Sequence, residues 1–114
     1  MPVRSLNSSI LKWPNKKEVL SSLKIWAKKI KNKKPEIIKI GYFGSYAKNN
    51  YGVGSDLDLV IILKETNIPF IYRAKEFDTT SLPTCVDVLI YTEKEWEKLS
   101  SSFKKYVIWL FSKK

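Results

Sequence analysis

The chain has 114 residues, room for one domain with a core of its own, and hydrophobic residues at 44% mark it as globular and not disordered. It contains no histidine, which excludes Cys/His zinc sites, a Ser-His-Asp triad and a histidine general base. A net charge of +10, with lysine making up 19 of the 21 basic residues, suits polyanionic partners such as nucleotide phosphates, nucleic acid or an acidic protein face, although a solvated lysine-rich surface gives the same count.

In chain order, residues 1–13 read as a tail or a short edge element. Met1-Pro2-Val3-Arg4-Ser5-Leu6 has no apolar stretch or cleavage site of a secretory signal, and no later run approaches the ~20 apolar residues that span a bilayer. A cytoplasmic protein without a membrane segment is expected. Asn15 with Glu18 resembles a capping box, and Val19, Leu23, Trp26 and Ile30 share one helical face, which predicts a helix over about 15–33 ending near Pro35. Its lysines, Lys24, Lys28, Lys29, Lys31, Lys33 and Lys34, fall on the polar face and at the C-terminal end, where a helix favours positive charge. Glu36 to Phe43 reads as a strand, Gly44-Ser45 as a turn opening a short helix, and Asp56 to Leu63 as a second, strongly apolar strand. Pro69 to Phe77 matches a helix poorly. Cys85 to Tyr91 is a third strand, and its lone cysteine, set among apolar residues, is expected to be a buried thiol. Thr92 and Glu95 form a second capping box opening a helix. The segment from Phe103 to Phe111 is expected to be helical, with Phe103, Val107 and Leu110 on one face. Residues 1–114 therefore read as one α/β unit without repeat or linker.

The chemistry sits in three acids and one turn. Asp56 and Asp58, two apart in a strand, project from one face of the sheet, while Leu57, Leu59 and Ile61 point the other way into a core. Two carboxylates so close repel unless solvated or bridged by a cation, and hard divalent ions take such oxygen ligands while leaving positions for substrate phosphates. Asp87 interrupts a third apolar strand, where a buried carboxylate needs a metal, a proton or a partner. If that strand lies beside the Asp56 strand, the three carboxylates converge on a cluster suited to two-metal chemistry. Gly44-Ser45, between a strand and a helix start, offers backbone N–H groups and a hydroxyl to an anion. Each feature alone is common. Their order along the chain is what carries weight.

The stretch GSYAKNNYGVGSDLDLVI resembles the signature of the DNA polymerase β-like nucleotidyltransferases, most closely the minimal nucleotidyltransferases, whose pattern runs Gly-Ser-x-Ala-Arg-Gly, a short loop, then Ser-Asp-x-Asp-Leu. The resemblance covers roughly residues 15–100, with the specific motif in residues 44–62 and Asp87. It implies a small mixed sheet of three to four strands flanked by helices. It implies that Gly44, Ser45, Lys48 and Ser55 bind the nucleotide, and that Asp56, Asp58 and Asp87 hold Mg²⁺ at a two-metal site and carry catalysis. ATP or another NTP would be the substrate. It further implies a partner encoded beside it: a small helical HEPN-type toxin, silenced by transfer of AMP to one of its tyrosines, so that this chain would act as an antitoxin. A hetero- or homo-oligomer is expected.

Two positions depart from the pattern. Lys48 stands where the family has arginine and Asn49 where it has glycine; lysine meets a phosphate without the bidentate fork, and asparagine tolerates a left-handed backbone. An antitoxin that neutralises its partner by binding alone is therefore a second reading. A small basic nucleic-acid-binding domain is a third, and the three aspartates count against it. The run Tyr106 to Phe111 would suit either half-buried core or a docking surface, and Tyr42, Tyr46 and Tyr51 either packing or base stacking.

Overall fold

The computed structural model describes residues 16–44, 57–99 and 101–112, with residues 102 and 103 described in backbone only. The expected elements at residues 1–13, the Asn15 cap, and Ser45, Tyr46, Lys48, Asn49, Tyr51, Ser55 and Asp56 lie outside the described residues.

A four-stranded mixed sheet runs in the order β3-β2-β1-β4. Helix α1 (Lys16–Lys33) packs on one face, burying Val19, Leu23, Trp26, Ala27 and Ile30 at the three- and four-residue spacing read from the sequence. Its last turn closes with Lys34 N–H donating to the Ile30 carbonyl at 2.9 Å, just before Pro35 stops it. The Trp26 indole N–H donates to the Asp78 carbonyl at 2.7 Å, pinning the segment before β3 to the helix. β1 (Ile37–Phe43) and β2 (Leu57–Leu63) pair antiparallel, with Phe43 opposite Asp58. β2 is the centre of the molecule: every residue but Asp58 is buried, on both faces. Leu57, Leu59 and Ile61 join the α1 layer, whereas Val60 and Ile62 pack on the other side with Trp96 and Val107.

A crossover through a 3₁₀ helix (Phe70–Glu76) leads to β3 (Val86–Thr92), parallel to β2. The tighter helix accounts for the weak helical match of Pro69 to Phe77. Thr92 then caps α2 (Glu93–Glu97) through the expected box: its hydroxyl accepts from Glu95 N–H at 3.2 Å, and Glu95 accepts from Thr92 N–H at 2.9 Å.

The C-terminal expectation was wrong. Only Ser101–Lys104 is helical (α3), and Ile108–Ser112 forms β4, antiparallel to β1 at the sheet's second edge. Val107 is buried in the Trp96 layer while Leu110 packs against the α1 layer, so the two lie on opposite faces of the sheet. Gly41 makes this docking possible. A Cβ there would stand 2.7 Å from Trp109 Cε3 and 2.8 Å from both the Ile108 carbonyl oxygen and Val107 Cγ1. The β1–β4 register shifts at Ile40/Gly41, the same point.

Candidate active site

Asp58 and Asp87 are in register on the neighbouring parallel strands β2 and β3, so their carboxylates leave one face of the sheet from backbones about 4.8 Å apart. That is the juxtaposition expected if the third strand lay beside the second. Asp58 is half-buried. Asp87, expected inside a buried strand, is exposed: β3 is an outer strand of the described sheet. Burial therefore does not force a partner on Asp87. Asp56 falls outside the described residues, and among those described no cluster of three metal-ligating side chains occurs.

Gly44 closes the same corner. It follows Phe43, the residue opposite Asp58, and holds φ at +76°, a conformation that L side chains rarely adopt. A Cβ on Gly44 would fall onto Asp58 Oδ2 and stand 3.2 Å from its Cγ. The glycine thus lets the backbone pass directly over the carboxylate. Gly44, Asp58 and Asp87 converge from three strands at one end of the sheet.

The face that carries the carboxylates is aromatic. Phe70, Tyr91, Trp96 and Trp109 form a row with ring centroids 5.4, 5.7 and 5.6 Å apart along it. Burial, and then the nearby Glu95 charge, push the Tyr91 phenol above its ordinary range, so it stays a proton donor at neutral pH. Tyr42 is buried against the α1 layer, on the opposite face, and serves packing. The lysine row also lies on the α1 side: Lys24, Lys28 and Lys31 flank a cavity of about 220 Å³ floored by Leu110 and Phe111. That cluster does not face the carboxylates. Cys85, expected to be buried, is exposed, because it precedes the strand and β3 has no outer neighbour among the described residues.

Sequence reading missed Arg73. Among the described residues it is the one buried charged side chain, 7% exposed. Its Nε donates to the Ile68 carbonyl at 2.7 Å, one Nη donates to the Ile90 carbonyl at 3.0 Å, and the guanidinium grips the Glu95 carboxylate at 2.6 and 3.1 Å. These bonds with Arg73, and those from Thr92, hold Glu95 well below its ordinary range, at about 2. The knot ties the crossover, the end of β3 and the start of α2. One of only two arginines beside 19 lysines, directly after the apolar run Phe70-Ile71-Tyr72, was the available signal.

The described sheet is thus mixed and four-stranded, with Asp58 and Asp87 in register at one end of β2 and β3. The chain belongs to the nucleotidyltransferase domain family, whose model matches residues 23–110. The fold is shared with a crystal structure from Sulfolobus solfataricus assigned as a nucleotidyltransferase (TM-score 0.67, 18% identity, 85% of this chain and 83% of that one). It is shared too with a chain of a toxin–antitoxin crystallised with AMP-PNP (TM-score 0.55, 18% identity, 80% and 74%). A chain of a mutant MntA–HpeT toxin–antitoxin is more distant (TM-score 0.50, 16% identity, 89% and 75%). No curated protein sequence matches the chain.

Proposed function

We propose that this chain is a Mg²⁺-dependent nucleotidyltransferase that moves AMP from ATP to a hydroxyl, a tyrosine of a small helical HEPN-type toxin, and so acts as an antitoxin. The observation that carries the reading is the convergence of Asp58, Asp87 and Gly44 at one end of the sheet. An all-oxygen donor pair in register suits a hard divalent cation, which relieves the repulsion between the two carboxylates. Asp56, Asp58 and Asp87 are the residues that would hold it; when bound, such a cation supplies charge for the triphosphate and lowers the proton affinity of the attacking hydroxyl. Gly44 brings its backbone close enough to cradle phosphate, with Ser45, Lys48 and Ser55 as the remaining nucleotide contacts. The acceptor oxygen bonds to the α-phosphorus, the bond from that phosphorus to the bridging oxygen breaks, and pyrophosphate departs with the electron pair. Asp87 receives the hydroxyl proton. A toxin–antitoxin of the same fold crystallised with AMP-PNP supports both the nucleotide and the partner.

The test is labelled ATP, Mg²⁺ and the product of the adjacent gene, with wild type beside Asp58→Asn. Label on the partner that disappears in the variant is the expected result; equal labelling by both overturns the assignment of Asp58. Lys48 and Asn49, at positions where the family pattern has arginine and glycine, favour a second reading, capture without transfer. Neutralisation of the partner that survives Asp58→Asn would establish that one.

A further inference from the structure

Among the described residues β3 is an outer strand, so one of its edges faces no other described strand. Successive residues of a strand turn their N–H and C=O groups to opposite edges. The Cys85 carbonyl accepts from Leu57 N–H at 2.9 Å, which turns Cys85, Asp87 and Leu89 toward β2. The Ile90 carbonyl accepts from Arg73, which turns Ile90, Val88 and Val86 outward. Arg73 thus caps the edge at Ile90. The outward N–H and C=O groups of Val86 and Val88 take no hydrogen bond from any described residue. Beside Val86 lies an open groove of about 630 Å³, lined further by Thr79, Thr80, Leu82, Pro83, Thr84 and Cys85, within the ~300–1,000 Å³ typical of ligand sites. Asp87 stands between the two valines, its side chain beside Asp58.

We propose that the acceptor docks as an extended polypeptide segment, adding a strand to the outer edge of β3 at Val86–Val88 and setting its hydroxyl-bearing residue beside Asp87. This rests on the transfer reaction proposed above. A peptide main chain presents donors and acceptors at the two-residue repeat of Val86 and Val88; a nucleic-acid backbone has acceptors but no matching row of donors. The Leu82–Pro83 wall takes the flanking side chains. Arg73 sets where the added strand must end, because beyond Ile90 the edge is already satisfied.

Val88→Pro is the variant of choice: it removes an outward N–H that makes no bond to β2, a position an edge strand tolerates. Labelling of the adjacent-gene product should fall at least tenfold, while the rise in melting temperature with ATP and Mg²⁺ stays at the wild-type value. In the wild type, exchange of the Val86 and Val88 amide hydrogens should slow at least tenfold when that partner is added. Wild-type labelling by a folded Val88→Pro variant overturns the proposal, as do unchanged exchange rates or protection by a single-stranded RNA instead of the protein. If Val88→Pro does not fold, the amide exchange of the wild type decides. Protection without any labelling supports the docking edge and removes the transfer reaction; neither protection nor labelling removes both.

Discussion

Replacing Arg73 by methionine keeps much of the side chain's apolar stem and deletes its four hydrogen bonds. The Glu95 half of the knot contributes little, since that carboxylate is 43% exposed and an ion pair so solvated is worth about 1 kcal/mol at most. The buried half matters more. Orphaning the Ile90 carbonyl costs about 1–3 kcal/mol, and losing the part-buried bond to Ile68 costs about 1 kcal/mol. The expected loss is therefore about 3 kcal/mol, read from urea unfolding of wild type and variant at pH 7. Glu95→Gln, which removes the charge and leaves the carbonyl bonds intact, should lose only about 1 kcal/mol. The reasoning fails if Arg73→Met costs no more than Glu95→Gln, because the buried carbonyls would then carry nothing.

The same carboxylate predicts a pH dependence. Glu95 has a folded pKa of about 2 against an ordinary 4.5, so its contribution is complete above about pH 4.5 and is lost as pH falls toward 2; a melting-temperature series should show that loss in wild type and not in Glu95→Gln. Gly41→Ala should cost about 1–3 kcal/mol by urea unfolding, since the neighbour it meets includes the Ile108 main chain, which has little freedom to give. A cost under about 0.5 kcal/mol would mean that β4 does not pack there. Gly44→Ala should lower stability by about 1–2 kcal/mol through its positive φ. It should also reduce nucleotide transfer at least tenfold by turning the Asp58 carboxylate aside; transfer at the wild-type rate would detach Gly44 from the site.

The sequence by itself determined α1, the first three strands, the Thr92–Glu95 cap and the family. Each rests on contacts within a few residues: apolar spacing on a helix, β-branched runs, a side chain reaching its neighbour's N–H. The motif put Gly44, Asp58 and Asp87 in order along the chain, and the parallel pairing of β2 with β3 set the two aspartates side by side. What only the tertiary structure decided depends on which face or edge finds a neighbour. Val107 to Phe111 has apolar residues on every side, so a helical period and a strand period fit it equally. Ile108–Ser112 became β4 because Gly41 left room on β1 and because the sheet offered cores on both faces, Val107 just before the strand taking one and Leu110 the other. Cys85 and Asp87 looked buried because their neighbours are apolar, but exposure is set by strand order, and β3 lies at the edge. Arg73 was invisible for the same reason: its partners lie 5, 17 and 22 residues away, and folding alone brings them within reach of one guanidinium.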